Sequence, residues 1–488
     1  PIVSGAAALV MQSLNEQSTM YEPLDVKNIL MSSANDLEND AFTQGVGLVN
    51  SLDAVRLTHG EGGIFQVTNT ETSKNLNSVL KSSISNLNYT SFGLQLNSFS
   101  LENIPHTSWF AGRLNPGDES LSTFKIKNPT NKTLIINITP EKLKLIEKLT
   151  YDGTTEPHLH DSYINTSKTY RPNYIFLDDL TIPEKINTNS TVIIPEDSSL
   201  LVLNANFSFQ HFMNQTNPIY ADDLKISSLY LYDWKDKDKN SEISSDELSL
   251  VNRGGSWGTV QELRISKPIE HFENQPVVGV YPVPERYSFW GGSIKQNTTS
   301  FDYTLSASYF KKDIWNDINL EKQSVTVPPN QTVEVKTKIS TDKDQKTGIY
   351  DGFLKFESDH HKINIPVSYV IVEKVEKDIP FTFVGKNNDV NFSSEYVKGA
   401  FDMTNRYMAG DWRQYYLDVQ DSTINSASIE LSWENENTNF TAFVLDPQGK
   451  IISTNMPTGV FGHFMNWASS DWLGNSPFSQ GGGFFPVK

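Results

Sequence analysis

Hydrophobic positions change their period once along this chain. Over residues 1–11 they fall on nearly every side of a helical wheel, with Pro1 at the tolerated first position, and this predicts a buried helix. Over residues 24–31, Val26, Ile29 and Leu30 stand at i, i+3 and i+4, the one-sided stripe of a second helix. A third, short helix is predicted from Ser51 as N-cap, with Leu52 and Val55 turned to the same core. From about Glu61 onward the period drops to two, in short runs broken by Asn, Pro, Gly and Asp, so only the first sixty residues read as helical.

The alternating part predicts a mainly β fold of tandem antiparallel β-sandwiches. One sandwich spans 82–266 and a second spans 267–374, whose strands include Ser324-Val-Thr-Val327, Thr332-Val-Glu-Val-Lys336 and Gly352-Phe-Leu-Lys-Phe356. A last β domain covers 376–488. Its clearest hairpin lies over 442–450, where Asp446-Pro-Gln-Gly449 suits a type I turn. After Phe461 aromatic and glycine residues accumulate without a finished alternating strand, and this domain is expected to be incomplete.

Composition narrows the setting. The length of 488 residues exceeds one core and predicts roughly three or four domains. A formal charge of −18 argues against nucleic acid and anionic membranes, because neutralising phosphate needs clustered Lys and Arg. No apolar run has the length of a membrane span. The absence of cysteine excludes disulfides and thiolate metal sites. Sequons at Asn88, Asn131, Asn137, Asn165, Asn189, Asn206, Asn214, Asn297, Asn330, Asn391 and Asn439 are candidate glycosylation acceptors and point to an extracellular or cell-surface protein. Pro1 opens straight onto the apolar run, from which a longer parent protein is expected.

The opening Pro1-Ile-Val-Ser-Gly-Ala-Ala-Ala-Leu-Val10 resembles the small-residue helix that follows the nucleophile in subtilisin-like serine peptidases. Residues 24–34 resemble the next helix of that family. Gln44-Gly-Val-Gly-Leu-Val-Asn50 with Ala54 resembles its glycine-rich turn and final helix. The resemblance implies that residues 1–60 are the C-terminal helices of a truncated α/β catalytic domain, with Pro1 and Gly5 packing behind a nucleophile that lies upstream. Ser4 is then a packing residue, and the chain holds no catalytic residue. A serine at the mouth of such a helix has its oxyanion favoured by nearby N–H groups and the helix dipole. The β regions resemble fibronectin-III-like modules and, at the end, a prepeptidase-C-terminal-like domain. They imply accessory domains that meet protein or peptide substrates, the cell surface or glycans. The rival expectation is a non-enzymatic adhesion protein, because a fold does not fix a function.

One loop carries its own chemistry. Residues 236–247 fit the twelve-residue EF-hand calcium pattern: Asp236, Asp238 and Asn240 at positions one, three and five, Glu242 at the backbone-carbonyl position, Ile243 at the apolar eighth, Ser244 at nine and Glu247 as last ligand. Ser241 stands where glycine normally takes the strained turn, and Lys235, Lys237 and Lys239 offset some negative charge. A strand rather than a helix precedes the loop, so a structural calcium is expected instead of a sensor. His158, His160, the pair His360 and His361, and the carboxylate pairs at Asp178, Asp179, Asp222 and Asp223 read as surface groups.

Overall fold

The computed structural model describes residues 1–84, 103–155, 173–176, 194–207, 216–217, 227–254, 260–282, 293–294, 301–383, 396–397, 412–430, 432, 443–446, 451–454 and 484–486. Its first helices are α1 (Ile2–Glu16), α2 (Pro23–Ser32), α3 (Ala41–Gln44), α4 (Ser51–His59) and α5 (Glu71–Ile84). Proline opens α2, and the Glu22 and Asp25 side chains each accept the other's backbone N–H in a reciprocal cap. Val10 and Leu14 of α1, Val26 and Ile29 of α2, Ala54 and Leu57 of α4, and Ile64 share one core.

Three details correct the sequence reading. Helix α1 is not buried all round. Its inward residues are Ala6, Val10, Ser13 and Leu14, whereas Ile2 is 80% exposed and Leu9 48%, because α2 and α4 join the same apolar cluster on one side of it. Helix α4 is capped by Asn50, which accepts the Asp53 N–H, and not by Ser51. Its inward residues are therefore Ala54 and Leu57, and Leu52 is 60% exposed. Helix α5 lies beyond the sixty residues that read as helical. Asn69 Oδ1 accepts the Thr72 N–H at its start, and Asn75 donates to Phe110 O at 2.8 Å.

Segment 44–50 contains a tight turn. Gly47 has φ +122°, and a Cβ there would run into the Asn35 carbonyl, whose residue pairs with Leu48 by two 2.8 Å backbone hydrogen bonds.

The chain is mainly β, with several antiparallel sheets and few helices. It forms two units, each discontinuous in sequence. The first comprises Pro1–Lys144, Lys312–Tyr396 and Arg413–Asp421, and the second Leu145–Lys311, Val397–Trp412 and Ser422–Lys488. The first holds a sandwich. One sheet runs Gln66–Thr68, Glu119–Lys127, Thr332–Ser340 and Ile318–Leu320, all antiparallel. The facing sheet runs Ser324–Val327, Leu134–Thr155, Gly348–Glu357, Lys362–Ile371 and Trp109–Leu114, the last pair parallel. Alternate residues of both sheets, among them Trp109, Phe124, Ile136, Val335 and Phe356, make one core. Strands expected in separate sandwiches therefore share a sheet: Glu119–Lys127 pairs with Thr332–Ser340 along nine residues.

In the second unit Leu200–Phe207 lies between Val260–Ser266 and strand Phe301–Ile314, antiparallel to both; that strand belongs to the second unit up to Lys311 and to the first from Lys312. A second sheet runs Asn173–Phe176, Gln275–Pro282, Ser227–Trp234 and Leu248–Gly254. The strands that flank the expected terminal hairpin, Phe443–Leu445 and Ile451–Thr454, pair antiparallel.

Candidate metal centre

Strands Ser227–Trp234 and Leu248–Gly254 form a hairpin closed by the pair Trp234 and Leu248, and loop 235–247 is its tip. The loop is anchored from below. Ile243 and Leu248 pack against buried Trp234 and Val277, so the apolar eighth position of the motif reaches the core as its spacing requires. Lys235 N–H donates to Glu247 O at 3.1 Å, which ties the two ends of the loop together.

Three of the six candidate ligand side chains converge above this base. Carboxylate oxygens of Asp236, Asp238 and Glu247 lie within 4.8 Å of one another. Glu247 is 3% exposed. Its Oε1 accepts the Lys237 N–H at 2.8 Å, and its Oε2 accepts the Ser244 N–H at 3.2 Å and the Trp234 indole N–H at 3.4 Å. Burial opposes the charge, but these donors outweigh it and hold the Glu247 carboxyl at about 2. Asp236 Oδ2 accepts the Ser241 N–H at 3.1 Å, while Oδ1 of the same carboxylate is buried with no hydrogen-bond partner. Asn240 Oδ1 accepts the Glu242 N–H at 2.6 Å, and Ser244 Oγ donates to Asp246 at 2.7 Å.

Two backbone positions make the turn. Lys239 and Ser241 both have φ +61°, so position six takes the left-handed conformation for which glycine is usual, with serine in its place. Among the described residues no lysine forms an ion pair with Asp236, Asp238 or Glu247. Lys237 Nζ instead donates to the Asp246 carbonyl. The donor set is therefore all oxygen and anionic, with one oxygen orphaned inside it, which suits a hard divalent cation. Asp236, Asp238 and Glu247 would hold it directly; Glu242 is outside that group, the Asn240 oxygen accepts the Glu242 N–H and the Ser244 hydroxyl donates to Asp246.

The remaining predicted residues separate. Pro1 and Gly5 are exposed, and nothing lies within 4 Å of where a Gly5 Cβ would stand. Asn131, Asn137 and Asn330 are exposed, whereas Asn206 is half-buried in a strand paired on both sides. Asn88, Asn165, Asn189, Asn214, Asn297, Asn391 and Asn439 lie outside the described residues, as do His158, His160, Asp178, Asp179, Asp222 and Asp223. His360 is exposed as expected, but His361 is not a surface group. Its Nε2 bonds Ser32 O at 2.8 Å and its ring meets Phe65 edge-on at 5.3 Å; burial pushes its pKa down. The period-two rule placed it in a turn and could not foresee a helix arriving from 329 residues away.

No described helix is long and apolar enough to cross a membrane. No family model matches the chain, and no curated protein matches it. Among solved structures the chain is similar to a family 123 glycoside hydrolase from Clostridium perfringens, at 8% identity and a TM-score of 0.15, over 53% of this chain and 22% of that one. The chain thus spans about a fifth of that protein's length, and a likeness at this score carries no argument about function.

Proposed function

We propose that this chain is the C-terminal part of a secreted or cell-surface subtilisin-like serine peptidase, which hydrolyses peptide bonds in proteins through a Ser-His-Asp triad lying upstream. One observation carries the reading. Helices α1, α2 and α4 close on a common core in the order the resemblance implies, while the far side of α1 stays bare. That side presents Ser4, Gly5 and Ala8, flanked by the exposed Leu9 and Met11. Small residues between larger apolar ones let a helix lie close against a sheet. In such a peptidase the serine attacks the carbonyl, the histidine acts as base and then acid, and N–H groups hold the oxyanion. This chain supplies packing for the helix behind the serine and accessory β units. A fluorophosphonate probe on the full-length protein tests it: a labelled serine a few residues before Pro1 is the expected result, and absence of labelling overturns the reading. Turnover by residues 1–488 alone would also contradict it.

Loop 236–247 is proposed to hold a structural calcium ion. The carrying observation is a buried, unpartnered oxygen, Oδ1 of Asp236, on a carboxylate that converges with two others. Once bound, calcium would supply charge neutralisation and a cross-link at the hairpin tip, with no part in catalysis. Melting with calcium and with chelator, in the wild type and in Glu247→Ala, tests it; equal calcium responses would remove the site.

A further inference from the structure

The sandwich of the first unit meets the helices at α2, α3 and α5, and α2 is the one that also packs on α1. Asn28 of α2 is 1% exposed and donates to Pro105 O at 2.8 Å, while Thr107 Oγ1 donates to Asn28 Oδ1 at 3.2 Å. At the other end of α2, His361 Nε2 bonds Ser32 O at 2.8 Å. Just beyond it Asp36 and Glu38 enter a mixed-charge cluster. Lys312 Nζ lies 2.8 Å from Asp36 and also contacts Glu38, and Lys362 Nζ lies 2.9 Å from Asp36 and 3.3 Å from Glu38. Gln44 Nε2 adds a 2.9 Å hydrogen bond to Asp36. Two lysines face two carboxylates, so the cluster is neutral. The Asp36 side chain is 5% exposed and that of Lys312 14%, which makes these pairs harder to screen than surface ones. Helix α2 in turn buries Val26 and Ile29 against Val10 and Leu14 of α1.

We infer that Lys312, Lys362 and His361 of the first unit are positioning residues that fix α2 and, through it, set the position of α1. This rests on the peptidase reading for its consequence, because α1 is there the helix behind the nucleophile. A catalytic hydroxyl displaced by about 1 Å loses on the order of a hundredfold in rate, so the accessory sandwich would act on catalysis without touching substrate. None of the three residues belongs to the triad.

The experiment uses the full-length protein carrying Lys312→Met with Lys362→Met. Amide exchange in Ile2–Glu16 and Pro23–Ser32 is expected to quicken by about tenfold or more, while Glu119–Lys127 and Thr332–Ser340 keep wild-type protection. Peptide hydrolysis should lose kcat by roughly tenfold with KM within about twofold, and the double Lys→Arg variant should restore both exchange and kcat. Should the methionine variant not fold, Asp36→Asn, close in shape, is read the same way. Unchanged exchange in the helices overturns the inference, and so does equal loosening of helices and sandwich. A wild type without peptidase turnover overturns the parent reading instead, and the exchange result then decides the clamp by itself.

Discussion

Two carboxylate clusters among the described residues are solved in opposite ways. At Asp36 and Glu38, lysines from distant strands arrive and the charges cancel within the protein. At Asp236, Asp238 and Glu247, three lysines are interleaved in the sequence, yet none pairs with the carboxylates among the described residues. Neighbours in a tightly turning loop point away from one another, whereas a lysine on a facing strand points in. Neutral donors face the second cluster, backbone N–H groups with the Trp234 indole and the Asn240 amide, and they leave one buried Asp236 oxygen unpartnered. Proximity in sequence is therefore a poor guide to charge compensation, and the uncompensated cluster is the one suited to a cation.

Removing a partner from the compensated cluster should have the largest effect. Asp36→Ala takes from Lys312, in a largely buried site, one of its two carboxylate partners, and breaking a buried pair this way costs about 3–5 kcal/mol. Chemical denaturation followed by a signal from the first unit should show it as a lowered midpoint. Calcium should not rescue it.

The metal loop should behave in the reverse manner. Calcium at a hundredfold excess over its dissociation constant should stabilise the second unit by about 2.7 kcal/mol. Glu247→Ala should abolish that gain and Asp36→Ala should keep it. Because the indole N–H of Trp234 bonds Glu247, the fluorescence of Trp234 offers a local readout in variants lacking the other tryptophans of the second unit. A calcium response that survives Glu247→Ala, or vanishes with Asp36→Ala, would break the contrast.

The difference also marks what could be read in advance. Loop 236–247 is local: its ligands lie within twelve residues, its apolar eighth position packs, and its sixth takes φ +61°, all of which spacing announced. The stripe Val26 and Ile29 was legible for the same reason. The Asp36 and Lys312 pair spans 276 residues, and no period or motif connects them. The shared sheet of Glu119–Lys127 and Thr332–Ser340 was hidden likewise, since alternation identifies a strand but not its partner. Helix α5 escaped because Ser, Thr, Asn and Lys dominate it and favour helices weakly or stay polar. Its apolar residues Leu76, Val79 and Leu80 at i, i+3 and i+4 were the signal that could have found it. The bare side of α1 could not be foreseen either, because an all-round apolar helix predicts burial without saying what buries it.

Acid should separate the clusters further. Burial pushes the Asp36 carboxyl up, but Lys312, Gln44 and Lys362 outweigh it and hold the group far below the usual carboxylate range. A folded pKa below the unfolded value of 3.8 gives stability that is fully present above about pH 4 and is lost as the pH falls toward the folded pKa. The first unit should therefore lose stability steadily on acidification below about pH 4, measured by denaturant midpoints at each pH. Asp36→Asn should flatten that slope. A slope unchanged by Asp36→Asn would assign the acid sensitivity to other carboxylates and weaken the view that this cluster is held by charge.

The smallest effect tests whether loop 236–247 is strained for its ligand geometry. Ser241 pays for a left-handed backbone that glycine adopts freely, at roughly 1 kcal/mol. Ser241→Gly has two opposed consequences: it relieves that strain in the folded loop, and it adds flexibility to the unfolded chain. If the strain dominates, the variant gains up to about 1 kcal/mol in chelator, since relief does not require the ion. If calcium further tightens the turn, its affinity should rise by about fivefold as well, the equivalent of about 1 kcal/mol. Calorimetric titration beside melting in chelator distinguishes the two. A variant that changes neither would mean that the strain relieved is no larger than the cost of the added chain flexibility, and that serine at the sixth position is no handicap to the carboxylates around it.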